Sequence, residues 1–109
     1  MTVEAFANLI GCEIICMPSP EKEVDGAYIG DLLSWVMGKA DSGNVWITIM
    51  SNINTVAVAT LTDASCILLA EGVRPDENAL EAARSKGVNI LSTQMSAYEV
   101  ATLISGHGI

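Results

Sequence analysis

Apolar and polar positions in this chain follow two alternating periods. Val3, Phe6, Ala7 and Ile10 recur at the spacing of one helical face, which predicts an amphipathic helix over residues 3–10. Thr2 is placed to cap its start and Gly11 to close it in the left-handed conformation. Residues 13–16 then read as a short strand. Pro18 and Pro20 make residues 17–22 a loop, because proline donates no ladder hydrogen bond. Residues 24–29 read as strand, weakened by Gly26. Gly30-Asp31 opens a helix running to about Gly38, with Leu32, Leu33, Val36 and Met37 within a core-facing arc of roughly 140° and Trp35 outside it. Asp41-Ser42-Gly43-Asn44 is a turn. Val45-Trp46-Ile47-Thr48-Ile49, β-branched and aromatic, is the strongest strand signal of the N-terminal half. After Ser51-Asn52-Ile53-Asn54 a helix runs through Ala64, and its Thr and Val content leaves packing to hold it.

The C-terminal half is punctuated more sharply. An apolar run over residues 66–70 stops at Glu71-Gly72, and Arg74-Pro75-Asp76-Glu77 opens a helix that ends at Lys86-Gly87. Residues 88–92 form a second apolar run, and Ser96 with Glu99 makes the capping-box spacing of a last helix ending at Gly106. Short strands separated by one crossover helix lie parallel, since no tight hairpin is available to them. The expected fold is therefore α/β: one compact domain with a mainly parallel sheet flanked by helices. Residues 105–109, which hold the Gly106-His107-Gly108 segment, are expected to be a flexible tail.

Composition narrows the function classes. At 109 residues the chain supports one core. Half its residues are hydrophobic and its mean hydropathy is +0.42, as expected for strands buried on both faces. No apolar run approaches the roughly 20 residues of a membrane span. Met1-Thr2-Val3-Glu4 carries no basic leader, so a cytoplasmic location is expected. A net charge of −8 with only five Lys and Arg argues against nucleic acid, whose phosphates need cations. Three cysteines make no disulfide framework, and the Cys12–Cys16 spacing suits neither zinc nor an iron–sulfur cluster, so no metal and no cofactor is expected.

In an open parallel sheet, ligands bind beyond the carboxyl ends of the strands. That rule gathers Gly30 and Asp31, Ser51, Asn52 and Asn54, Glu71 and Gly72, and Thr93 and Gln94. The candidate ligand contacts are Asp31, Thr48, Asn52, Asn54, Glu71 and Thr93, with Gly11, Asn44, Ala64 and Gly87 marking the opposite edge. Free N–H groups at helix starts suit an anionic ligand, whereas Asp31 and Glu71 repel one. A second reading stays open, because Asp31, Asn54, Asp76 and Ser96 are also good N-cap residues. No phosphate-binding glycine loop, dinucleotide fingerprint or nucleophile elbow occurs, and the single histidine, His107, lies in the tail. No catalytic residue is assigned, and an enzyme is not expected.

Tyr28-Ile29-Gly30-Asp31-Leu32-Leu33-Ser34 with Met37, then Trp46-Ile47-Thr48-Ile49, Asn54 and Val56-Ala57-Val58-Ala59, resemble stand-alone DRTGG-domain proteins of anaerobic bacteria. Ile67-Leu68-Leu69, Pro75-Asp76, Ala83, Gly87-Val88 and Leu91-Ser92-Thr93 are similar to the same domain elsewhere. The chain also resembles the N-terminal domain of HPr kinase/phosphorylase and the DRTGG domain of some phosphotransacetylases and CBS-type pyrophosphatases. It has Ala70-Glu71-Gly72 where relatives carry a Thr-Gly-Gly turn, and Trp35 where an acidic residue is common. The resemblance implies a non-catalytic regulatory or accessory module that acts as a homodimer or through a protein partner. The alternative is a sensor for a small anionic or nucleotide-like ligand, and an enzyme of unknown type is a distant third. Trp35, off the core arc of its helix, is the candidate interface residue.

Overall fold

The computed structural model describes residues 1–109. Its elements run α1 (Val3–Ile10), β1 (Glu13–Cys16), β2 (Ala27–Ile29), α2 (Leu33–Lys39), β3 (Val45–Thr48), α3 (Ile53–Thr62), β4 (Cys66–Leu69), α4 (Glu77–Lys86), β5 (Ile90–Ser92) and α5 (Ala97–Ser105). Thr2 caps α1, whose N–H of Ala5 donates to the Thr2 hydroxyl, and Gly11 ends it at φ 67°. Asp76 caps α4, and Ser96 with Glu99 forms the capping box of α5. These match the sequence reading. The expected strand over 24–29 is shorter, because residues 24–26 are spent on turn contacts: Asp25 N–H donates to Gly43 O, and Gly26 takes φ 77°.

The sheet has five strands in the order β1-β5-β4-β3-β2. β2 to β5 are mutually parallel, and only β1 is antiparallel, against β5. Each step from β2 to β5 moves to the next strand in one direction. Right-handed crossovers taken in one direction place every connecting helix on the same face. α2, α3 and α4 accordingly share one face, where Val36, Val56, Val58, Ala59, Ala79 and Ala83 pack on Trp46, Ile67, Leu69 and Ile90. α1 and α5 cover the other face, where Val3, Phe6, Ile10, Val100 and Ile104 pack on Val45, Ile47, Cys66, Leu68 and Leu91. β3 and β4 are buried along their whole length, the expected state of a parallel strand covered on both faces. No helix is long and apolar enough to cross a membrane.

α2 departs from the sequence reading. It begins at Leu33 rather than at Gly30-Asp31, and only Val36 is buried. Leu32 and Met37, expected on the core face, are 61% and 51% exposed, and Trp35 is 60% exposed. The helix packs beside α3 at the end of the helical layer, so a narrow stripe suffices to dock it. The tail beyond α5 folds into a turn in which His107 N–H donates to Ile104 O and Ile109 packs on the second core. All three cysteines are free. Burial pushes the Cys12 thiol up to about 11 and raises those of Cys16 and Cys66 as well, so all remain protonated near neutral pH.

β1 ends where the parallel strands begin, and β2 starts at that edge on the far side of the sheet. Residues 17–26 therefore run along the whole N-terminal edge, and buried polar side chains hold them there. Asn89 accepts from Ser19 N–H at 2.9 Å and donates to Ser19 O at 2.7 Å and to Ser65 O at 3.0 Å. Ser65 Oγ donates to Glu23 O, and Asn44 donates to Asp25 O at 2.7 Å. No buried side-chain polar atom lacks a partner. Replacing Asn89 with Ala leaves Ser19 O its bond from Lys22 N–H but strands Ser19 N–H and Ser65 O, and losing such partners costs roughly 1–3 kcal/mol per unsatisfied group. Urea unfolding of Asn89→Ala should show a loss of about 2–3 kcal/mol. The exposed Asn8→Ala, as the control, should stay within about 0.5 kcal/mol of wild type.

Candidate functional site

The carboxyl ends of β2, β3, β4 and β5 meet at one edge, as the parallel order requires. Because β1 is antiparallel, its start joins them, and Gly11-Cys12-Glu13 sits beside Ser92-Thr93-Gln94. Gly11 was expected at the opposite edge; the reversed strand brings it to this one.

Asp31 does not cap α2. The N-cap position is Leu32, which makes no side-chain bond to the helix. Asp31 instead reaches across the β2–β3 pair, where Oδ1 accepts from Thr48 Oγ1 at 2.8 Å and from Ile49 N–H at 3.1 Å. Thr48 Oγ1 in turn accepts from Met50 N–H at 3.1 Å. Trp46 Nε1 donates to Gly30 O at 2.8 Å and fixes the residue before it. Asp31 is thus a clamp on the end of β3, and its Oδ2 has no hydrogen bond within the chain.

Glu71 follows β4 in the left-handed conformation, φ 59°, which costs a residue with a Cβ roughly 1–2 kcal/mol. Two backbone bonds hold it there: Glu71 N–H to Met95 O at 2.9 Å and Gly72 N–H to Thr93 O at 2.8 Å. Gly72, at φ 72°, lies under the Gln94 amide, and a Cβ at this position would stand 2.7 Å from Gln94 Oε1. The positive φ favours glycine here, and a Cβ would also displace the exposed Gln94 amide.

Asp31, Thr48 and Glu71 come together around a depression of about 210 Å³ whose other walls are Ile29, Ile47, Ile49, Ala70 and Ala97. Ile29 and Ile49 are 48% and 49% exposed. The other candidates lie elsewhere. Asn52 caps α3, its Oδ1 accepting from Asn54 N–H and Thr55 N–H at 3.0 and 3.2 Å, so those N–H groups are occupied. It borders a narrow gap of only about 10 Å³ against Val56, Ile67 and Leu69 on the face of α3 and α4. Asn54, expected as a cap, is an exposed residue in the first turn of α3. Thr93 accepts from Met95 N–H at 3.2 Å and borders a separate hollow with Gly11, Cys12 and Glu13. The six sequence candidates therefore divide among different surroundings. Ile29, Ile49 and Ala97 were missed; the i, i+2 spacing of Ile47 and Ile49 was the signal that both face one side.

No cation lines the depression. Lys22 pairs with Asp63, and Arg74 pairs with Glu13, whose hydrogen bond holds that carboxyl below its ordinary value. Lys39 lies 5.4 Å from the centre of the Trp35 ring, and Arg84 and Lys86 sit in the last turn of α4. Around the depression the exposed charges are carboxylates, set in apolar walls.

The DRTGG domain matches residues 7–107. This chain belongs to the DRTGG-domain family. The regulatory region of Clostridium perfringens pyrophosphatase, comprising CBS and DRTGG domains and solved with its activator diadenosine tetraphosphate, superposes with a TM-score of 0.71 at 14% identity. That likeness covers 94% of this chain and 45% of the other, so this DRTGG-domain chain spans less than half of the region it matches. At that identity the likeness shows the fold. Among curated proteins nothing matches.

Glu71→Gly and Glu71→Ala remove the same carboxylate but differ at the left-handed backbone. The relief of roughly 1–2 kcal/mol, less about 0.4–1 kcal/mol for the freer unfolded chain of glycine, leaves the Gly variant ahead by about 1 kcal/mol. Urea midpoints with unchanged slopes would read that difference.

Proposed function

We propose that this DRTGG domain is a non-catalytic cytoplasmic regulatory or accessory module that acts as a homodimer and whose state answers to a small ligand at the carboxyl edge of its sheet. The observation that carries the reading is the exposure of Leu32, Trp35 and Met37 together on and beside α2. Burying one such side chain fully contributes about 1.5–3 kcal/mol. α2 also carries no acidic residue in a chain of net charge −8, so two copies can approach there without opposing carboxylates. Trp35, already held beneath Lys39, is a large rigid group of the kind enriched at interface centres.

Ligand sensing is supported by where Asp31 stands. It lines the depression, and the next residue is the N-cap of α2. A ligand that engages the carboxylate acts on the residue leading into the exposed helix. The pyrophosphatase region that shares this fold is a regulatory one solved with a nucleotide activator, which fits a sensing role for the domain.

Sedimentation at tens of micromolar should find a dimer, and Trp35→Ala should shift it toward monomer with its circular dichroism spectrum unchanged. A wild-type monomer at that concentration would sink the dimer. The purified chain should also turn over no ATP with magnesium, since the sequence supplies no phosphate-binding glycine loop. Turnover abolished by a point substitution in this chain would overturn the non-catalytic reading.

A further inference from the structure

The depression between Asp31 and Glu71 has a specific chemical character, and resting on the ligand-sensing reading we propose that it takes a flat heterocyclic ring presenting N–H donors, with any phosphate held outside it. Its walls and floor are apolar, made by Ile29, Ile47, Ile49, Ala70 and Ala97. Ile47 and Ala70 are fully covered beneath, while Ile29 and Ile49 stand half-exposed on either side. The volume of about 210 Å³ lies below the roughly 300–1,000 Å³ that encloses a drug-sized ligand, so it suits a ring and not a whole dinucleotide.

The polar groups on the rim accept rather than donate. Asp31 Oδ1 is filled by Thr48 Oγ1 and Ile49 N–H, which orients the carboxylate and leaves Oδ2 free. Those same bonds occupy the Thr48 hydroxyl and the Ile49 amide, the donors a phosphate would otherwise find. Glu71 makes no side-chain hydrogen bond, and its backbone N–H is spent on Met95 O. With no Lys or Arg among the lining residues, an anion entering here meets two carboxylates against the single uncharged N–H of Ala97 at the start of α5. A ring bearing adjacent N–H and amino groups meets the opposite situation. The Glu71 carboxylate, with both oxygens free, accepts such a pair in two parallel bonds, as a carboxylate does from guanidinium, while Asp31 offers Oδ2 to one further N–H and the apolar walls take the ring faces.

The test uses the full chain and three probes: guanosine, with a ring N–H beside an amino group; adenosine, with only the amino group; and inorganic phosphate. Amide chemical-shift mapping should show guanosine perturbing Asp31, Ile49, Glu71 and Ala97, adenosine doing so more weakly, and phosphate leaving them in place. Glu71→Gln, an exposed change that keeps the fold, should weaken guanosine about tenfold, because the amide replaces one acceptor oxygen with a donor. Asp31→Asn keeps an acceptor for Ile49 N–H and should weaken it as well. Phosphate shifting these amides while both nucleosides leave them unmoved would overturn the inference and leave the ligand-sensing reading standing. No perturbation of this edge by any of the three would overturn both. Guanosine binding unchanged in Glu71→Gln and Asp31→Asn alike would also overturn the inference.

Discussion

The fold hangs on a buried polar seam at the N-terminal edge of the sheet. β1 and β2 follow one another in the chain yet occupy opposite margins, so residues 17–26 must travel the full width between them. A loop on that path lays its backbone groups against the sheet, where they need partners. Asn89, Ser65 and Asn44, one each from the segments that lead into β5, β4 and β3, supply them. The seam commits one edge of the sheet entirely to structure. It also holds β1 antiparallel, because β1 has to finish at the edge the loop follows.

The other edge is free as a consequence, and its shape follows from how helices are shared out. One-directional right-handed crossovers send α2, α3 and α4 to the same face. Only α1 and α5 remain for the opposite face of a five-stranded sheet, and they pack on β5, β4 and the Val45–Ile47 part of β3. The ends of β2 and β3 are left over. Ile29 and Ile49 are half-exposed there for that topological reason, and the depression is the uncovered corner of the second face. The same imbalance places α2 at the margin with one buried residue and its remaining large side chains in solvent.

Features governed by local chemistry were legible in the chain itself. Thr2, Asp76 and the Ser96–Glu99 box cap their helices through bonds spanning a few residues, so spacing alone reveals them. The parallel order of β2 to β5 followed from short strands joined by helices. Features set by distant partners were not legible. Asp31 looks like a cap because it precedes a helix, but its partners are Thr48 and Ile49 on the next strand. The apolar arc of α2 counts Leu32 and Met37 as core because periodicity assumes a helix covered along a full face, and α2 packs at the end of the helical layer. Asn52 and Asn54 are equivalent by residue type, and only the turn geometry decides that Asn52 caps and Asn54 does not. The orientation of β1 has no local signature, since it is imposed by a loop that begins after the strand ends.

Glu71 concentrates the functional question in one position. A carboxylate-bearing residue in the left-handed region is less favourable than the glycine of the Thr-Gly-Gly turn it resembles. It is held there by bonds to Met95 and Thr93 that a glycine would make equally well, so those bonds explain the turn and not the side chain. Nor does the carboxylate stabilise the fold by pairing, since it makes no side-chain hydrogen bond or salt bridge. What it changes is the edge. Together with Asp31 it gives an apolar depression a negative rim, in a region where helix starts alone would favour an anion. Backbone strain that fold stability does not require, at the lip of the corner that topology leaves open, is where local stability and ligand chemistry pull in opposite directions. Glu71 thus doubles the negative charge of this rim, and a glycine at position 71 would relieve the backbone and leave Asp31 as the one carboxylate of the corner.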